Sequence, residues 1–163
     1  MTYLLDANIF IQAKKLHYNF DICPAFWDWL DRENASGKVF SIDRVRSELM
    51  AGADSLATWA SVRGESFFLP LSADIEPSLP VISSWANNGK YEQTAVSTFL
   101  RVADYYLVAY AHARKLVVVT HELPSSSTKR IKIPDACIAL DVKVISPYEM
   151  LRTEHARFVL ESP

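Results

Sequence analysis

Short apolar runs alternating with stretches of helical spacing predict an α/β fold for this chain, with a central, mainly parallel sheet flanked by helices. Three observations carry the prediction. Leu116-Val117-Val118-Val119-Thr120 sets four aliphatic residues in a row, the pattern of a strand buried on both faces inside a parallel sheet. Tyr3-Leu4-Leu5 is an apolar run long enough only for a short buried strand, and it ends at an acid, Asp6. Helical stretches separate these two runs from further strand candidates on either side.

Taken in order, the strand at Tyr3 to Leu5 leads into a helix through Ile9, Phe10 and Ile11, with Asp6 or Asn8 able to cap it and Asn8 the better suited. His17 to Cys23 is aromatic and irregular. Pro24 then opens a helix carrying Phe26, Trp27 and Leu30, which Asn34 to Gly37 stop. Lys38-Val39-Phe40-Ser41-Ile42 alternates as a second strand, and Asp43 is placed to cap the helix holding Val45, Leu49 and Met50. A helix around Leu56, Trp59 and Val62 ends at Gly64, and Ser66 to Leu71 reads as a short strand. Ser72 to Asn88 is a cap followed by a helix starting near Pro80. Helical patterns then cover Tyr91 to Leu100 and Ala103 to Arg114, with Asp104 near the start of the second. After the strand at Leu116 to Thr120, Leu123 to Ile133 is a polar loop, Pro134-Asp135 starts a short helix, and Lys143 to Ser146 forms the last strand. Pro147 opens a final helix with Met150, Leu151 and Phe158.

With 163 residues, half of them hydrophobic and 22% charged, the chain is expected to form one domain over 1–163 with a core of its own. The net charge of -2 supplies no global attraction to nucleic acid, so a polyanion would need a local basic patch or bound cations. Cys23 and Cys137 lack the spacing of a zinc site or a disulfide framework and read as buried thiols. With no basic leader before Asp6 and no apolar stretch long enough to span a bilayer, a cytoplasmic protein without membrane contact is expected.

Asp6, Glu48, Asp104 and Glu122 each fall at a strand end or in a helix beside one. Carboxylates brought together repel one another unless a divalent cation stabilises their ionised forms. All-oxygen ligands favour a hard ion, Mg²⁺ or Mn²⁺, the chemistry of phosphodiester hydrolysis. The stretches Tyr3-Leu4-Leu5-Asp6-Ala7-Asn8, Arg46-Ser47-Glu48-Leu49, Ala103-Asp104-Tyr105-Tyr106-Leu107-Val108-Ala109 and Val118-Val119-Thr120-His121-Glu122 resemble, in order and context, the PIN-domain family of metal-dependent ribonucleases. That family includes toxins of bacterial toxin–antitoxin pairs, and within it the chain looks most like a divergent PIN-like group of small bacterial proteins.

The resemblance, over about residues 2–150, implies a three-layer PIN-like domain and endonucleolytic cleavage of RNA to 5′-phosphate and 3′-hydroxyl ends. It implies Mg²⁺ or Mn²⁺ held by Asp6, Glu48, Asp104 and Glu122, a separate antitoxin protein and a homodimer. Asn8 and Thr120 would orient ligands or water. Where Glu122 stands many PIN domains have Asp, followed by a shorter loop, so Asp135 competes with Glu122 as fourth ligand; Glu122 is favoured. The alternative function is a PIN-like RNA- or protein-binding module without catalysis.

Each residue also has a plainer reading. Asp6 can be a helix cap, Glu48 a solvated partner of Arg44, and Asp104 a helix N-terminal charge. Lys129, Arg130 and Lys132 are candidates for RNA phosphate contacts, as are Lys14, Lys15, Arg44 and Arg46, although charged loops are commonly only solvated. His17, His112 and His155 are isolated. Trp27, Trp29, Trp59 and Trp85 read as core, with Trp29 and Tyr18 able to form an exposed patch for a partner.

Overall fold

A computed structural model describes residues 1–160, so the last three residues of the expected domain lie outside the described residues. The strands are β1 (Tyr3–Leu5), β2 (Val39–Ile42), β3 (Phe68–Leu69), β4 (Val117–Val119) and β5 (Val144–Ile145). They form one five-stranded sheet in the order β3-β2-β1-β4-β5. Every pairing is parallel, with Leu4 opposite both Phe40 and Val118. The two apolar runs that announced the fold are thus adjacent central strands, and all of β1 and β4 is buried.

Helices α1 (Ala7–Lys15) and α2 (Pro24–Ala35) connect β1 to β2, and α3 (Asp43–Met50) and α4 (Ser55–Ser61) connect β2 to β3. The return to β4 runs through α5 (Ser78–Asn88), α6 (Gln93–Phe99) and α7 (Ala103–Arg114); α8 (Ile133–Ala139) precedes β5 and α9 (Pro147–Thr153) follows it. Since the first two connections and the last two run in opposite directions along the sheet, right-handed crossovers put the two sets of helices on opposite faces. Packing agrees: α1, α3 and α4 contact one another, and α5 contacts both α6 and α7. No helix among the described residues is long and apolar enough to cross a membrane.

On the first face Phe10 is fully buried, its ring 5.5 Å from that of Trp59 and 6.2 Å from those of Phe67 and Phe68. Burying rings of this size supplies much of the driving force for folding. One polar residue is built into the centre. Ser41, fully buried on β2, donates to the Leu5 carbonyl at 2.7 Å and so ties the end of β1 to its neighbour. Ser41→Ala leaves that carbonyl short of a partner and is expected to cost about 1–2 kcal/mol, read as a lower midpoint in urea unfolding. An unchanged midpoint would show that the carbonyl finds another donor.

Several local expectations are corrected. Asn8 does not cap α1: Asp6 occupies the cap position without a side-chain cap bond, and both side chains are engaged by Thr120 and His121 just after β4. Ile42 stands at the cap of α3, and Asp43 is the first helical residue. Phe158 lies beyond the last helix, which ends before His155 takes a positive φ of 55°; its ring instead meets Tyr18 and Phe26 edge-on. Trp29 is buried and Tyr18 is half-buried, stacked 4.6 Å from Phe26, so they form no exposed pair. Cys137 is buried as expected, whereas Cys23 is only half-buried. The outer strands β3 and β5 shrink to two residues each, having a partner on one side only.

Candidate functional site

The chain adds strands to one side of β1, then crosses over and adds β4 and β5 to the other. Open parallel sheets bind ligands beyond the carboxyl ends of the strands at such a switch point, where diverging connections leave a crevice. Here β1 hands the chain to Asp6 and β4 hands it to Thr120. The Asp6 amide donates to the Val119 carbonyl at 3.0 Å, so the two ends lie side by side.

Thr120 organises this junction. Its buried hydroxyl donates to Asp6 Oδ2 at 2.8 Å and accepts from the Glu122 amide at 3.0 Å and from Asn8 Nδ2 at 3.3 Å. One donation and two acceptances are all a hydroxyl can offer. Asn8 Oδ1 accepts from the His121 amide at 3.2 Å, fastening the first turn of α1 to the segment after β4.

Beyond this junction opens a cavity of about 560 Å³ whose walls include Asp6, Glu48, Asp104 and Glu122 together with Lys129 and Arg130. Asp6 comes from the end of β1, Glu48 from α3, Asp104 from the first turn of α7, and Glu122 from the end of β4. The approach of α3 to α7 brings Glu48 and Asp104 to one space, and at that contact the Arg44 guanidinium lies 3.5 Å above the Tyr106 ring. Cation–π stacking thereby takes Arg44 away from the pairing with Glu48 that their sequence spacing allowed. Ala95, Phe99 and Ile131 supply apolar wall, a contribution for which the helical pattern of Tyr91 to Leu100 offered no signal.

The acids carry the electrostatic mark of this confinement. Asp6, 5% exposed, has its pKa pushed up to about 7, first by burial and then by Asp104; the Thr120 hydrogen bond opposes the rise and Glu122 adds to it. Asp104 is pushed up to about 6 by burial and then by Glu122 and Glu48, against a lowering by Arg130. Burial also raises Glu48, whose side chain is otherwise open to solvent. None of Asp6, Glu48 and Asp104 forms an ion pair among the described residues.

Glu122 differs from the other three. Its Oε1 accepts from Arg130 at 3.2 Å and its Oε2 from the Ile133 amide at 2.8 Å, at the start of α8. Asp135, the competing fourth acid, accepts from the Ser125 amide on both oxygens, at 3.2 and 3.1 Å, and is not part of the cavity wall. Lys132 holds the cap position of α8 and is likewise outside the wall. Of the earlier basic candidates, Lys14 pairs with Asp54 at 2.8 Å, and Arg46 donates to the Ala60 and Ser61 carbonyls. His112 meets the Ser78 hydroxyl at 2.7 Å.

The donor set has the chemistry of a hard divalent cation: carboxylate oxygens, with Asp6 and Asp104 raised by burial and by neighbouring carboxylates. As placed, no three Asp, Glu, His or Cys side chains among the described residues stand close enough together to hold an ion. An ion here would thus meet no more than two of these acids directly, and the others only through water, of which Mg²⁺ retains several.

Fold and pocket together define an α/β protein of PIN-like architecture with clustered acids at the sheet's switch point. The chain belongs to the family described as a domain of unknown function, DUF4411, matched over residues 3–158. Among solved structures it is similar to the crystal structure of FitAcB from Neisseria gonorrhoeae, at 22% identity and a TM-score of 0.54 over 90% of this chain and 99% of that one. It is also similar to FitAB bound to an IR36 DNA fragment, at 18% identity and a TM-score of 0.53 over 99% of each chain. At these identities the likeness is one of fold. No curated protein matches the chain.

Proposed function

We propose that this protein is a metal-dependent endoribonuclease, the toxin of a toxin–antitoxin pair whose antitoxin is a separate chain. The supporting observation is that Asp6, Glu48, Asp104 and Glu122, drawn from four parts of the chain, line one cavity at the switch point together with Lys129 and Arg130. Like charges gathered in a half-buried pocket are costly unless a cation or a function offsets them. The resemblance to PIN-domain nucleases supplies the RNA substrate, the antitoxin and a homodimer as further parts of the proposal.

In this reading Asp6, Asp104 and Glu48 would hold Mg²⁺ or Mn²⁺ partly through water, as their separation requires, and Glu122 would join them through water or after rearrangement. A bound divalent ion supplies an activated water and stabilises charge developing on a phosphate. Thr120 fixes the Asp6 carboxylate, Asn8 holds the His121 backbone beside it, and Lys129 and Arg130 take up backbone phosphates. Phe99 and Ile131 contribute apolar lining to the same cavity.

Two observations favour the binding-module alternative: both Glu122 oxygens have protein partners, and among the described residues no three acids stand within reach of one ion. Calorimetry with Mn²⁺ separates the two. The wild type is expected to bind and Asp104→Ala to lose at least tenfold in affinity, as for removal of a direct or water-mediated ligand. RNA cleavage is expected with Mg²⁺ or Mn²⁺ and to vanish with a chelator. Metal-independent cleavage would overturn the mechanism, and neither binding nor cleavage would leave the binding module.

A further inference from the structure

Arg130 is the one cation that forms an ion pair with the acid cluster among the described residues, and its surroundings allow it to be exchanged. Its side chain is 65% exposed while that of Glu122 is 13% exposed, so the pair is wet on the arginine side. The guanidinium can exchange this partner for water at little cost to itself, and the shielded carboxylate retains a second donor in the Ile133 amide. Glu122 does not depend on it for its position, because Oε2 keeps the Ile133 amide when Oε1 is freed.

The backbone around Arg130 is pinned on both sides. Ile131, 4% exposed, anchors the loop in the core. Upstream, the Lys129 amide donates to Ser127 Oγ, the Glu92 amide to the Thr128 carbonyl at 2.9 Å, and the Ser125 amide to Asp135. The guanidinium can therefore swing while the loop stays where it is. Its influence already reaches past Glu122, since it also counters the like charges that raise Asp104.

We propose that Arg130 is the cavity's own counter-cation, holding Glu122 in the metal-free protein and giving it up when a divalent ion arrives, which frees the guanidinium for a phosphate. This rests on the metal-dependent reading above. It makes metal loading and the presentation of a phosphate-binding side chain a single exchange of positive charge.

The test is calorimetric titration of the full chain with Mn²⁺ alone, comparing wild type, Arg130→Gln and Arg130→Lys at low ionic strength. Removing a positive charge from beside the ion should tighten Mn²⁺ binding roughly tenfold in Arg130→Gln, while Arg130→Lys stays near wild type. A merely structural role would weaken binding in both variants, with a lower melting temperature in each, and would overturn the proposal. Equal affinity of all three proteins would also overturn it and leave the metal reading standing. Absence of Mn²⁺ binding in all three would remove the metal reading and the exchange together.

Discussion

Asp6→Asn is expected to lower RNA cleavage by about 10²–10³-fold while making the metal-free protein more stable at neutral pH, two effects of opposite sign from one carboxylate. In the metal-dependent reading proposed above the loss follows from removing a charged ligand at the switch point: about 3–4 kcal/mol of transition-state stabilisation corresponds to that range. The gain follows from burial. Folding raises the Asp6 pKa from 3.8 to about 7, so folding favours the protonated form. Its contribution to stability is fully present below pH 4 and is lost as pH rises toward 7. The shift caps the loss at about 4 kcal/mol, since each pKa unit is worth about 1.4 kcal/mol. Asp104, pushed up to about 6, adds a smaller loss of the same sign that is complete at lower pH. Urea unfolding of the chelated protein between about pH 5 and 8 should show falling stability in the wild type and a much flatter line in Asp6→Asn. A wild-type line that rises over this range would mean that Asp6 is charged and well paired in the apo protein, contrary to the burial seen here.

The order of the four acids along the chain was legible because each sits where a strand or helix end can be read from composition. The aliphatic run ending at Thr120 admits only a central strand, and the run ending at Leu5 only a short one. Their adjacency could not be read, yet it places Asp6 beside Thr120 and Glu122. Local spacing misled where a distant partner was stronger. Asn8 has the chemistry of a cap but is drawn to Thr120 and the His121 amide; Arg44 has the spacing to pair with Glu48 but stacks on Tyr106. Sequence favoured Glu122 and left Asp135 as its competitor. They separate in three dimensions because the loop between them folds back, offering the Ile133 amide to one and the Ser125 amide to the other. The apolar wall from α6 lay hidden because core-facing and cavity-facing residues of a helix share one periodicity.

Thr120→Val, nearly the same shape, tests whether that adjacency matters to function. The substitution removes the donor to Asp6 and leaves the Glu122 amide and Asn8 Nδ2 without their acceptor. Loss of those bonds is expected to cost about 1–3 kcal/mol of stability. Cleavage and Mn²⁺ affinity should each fall by about 10–100-fold, the usual penalty for removing a group that orients a metal ligand. The pH profile distinguishes this from simple loosening of the fold. The Thr120 hydrogen bond holds the Asp6 pKa down, so without it Asp6 keeps its proton to higher pH. A cation must displace that proton, so the acid limb of the pH–rate profile should move upward in Thr120→Val and stay in place in Thr120→Ser. If both variants fall equally with no movement of the limb, Thr120 supports the fold at this edge without tuning the carboxylate. A shift confined to the valine variant would instead tie the end of β4 to the charge state of Asp6, through the one hydroxyl whose donor and both acceptor positions are in use.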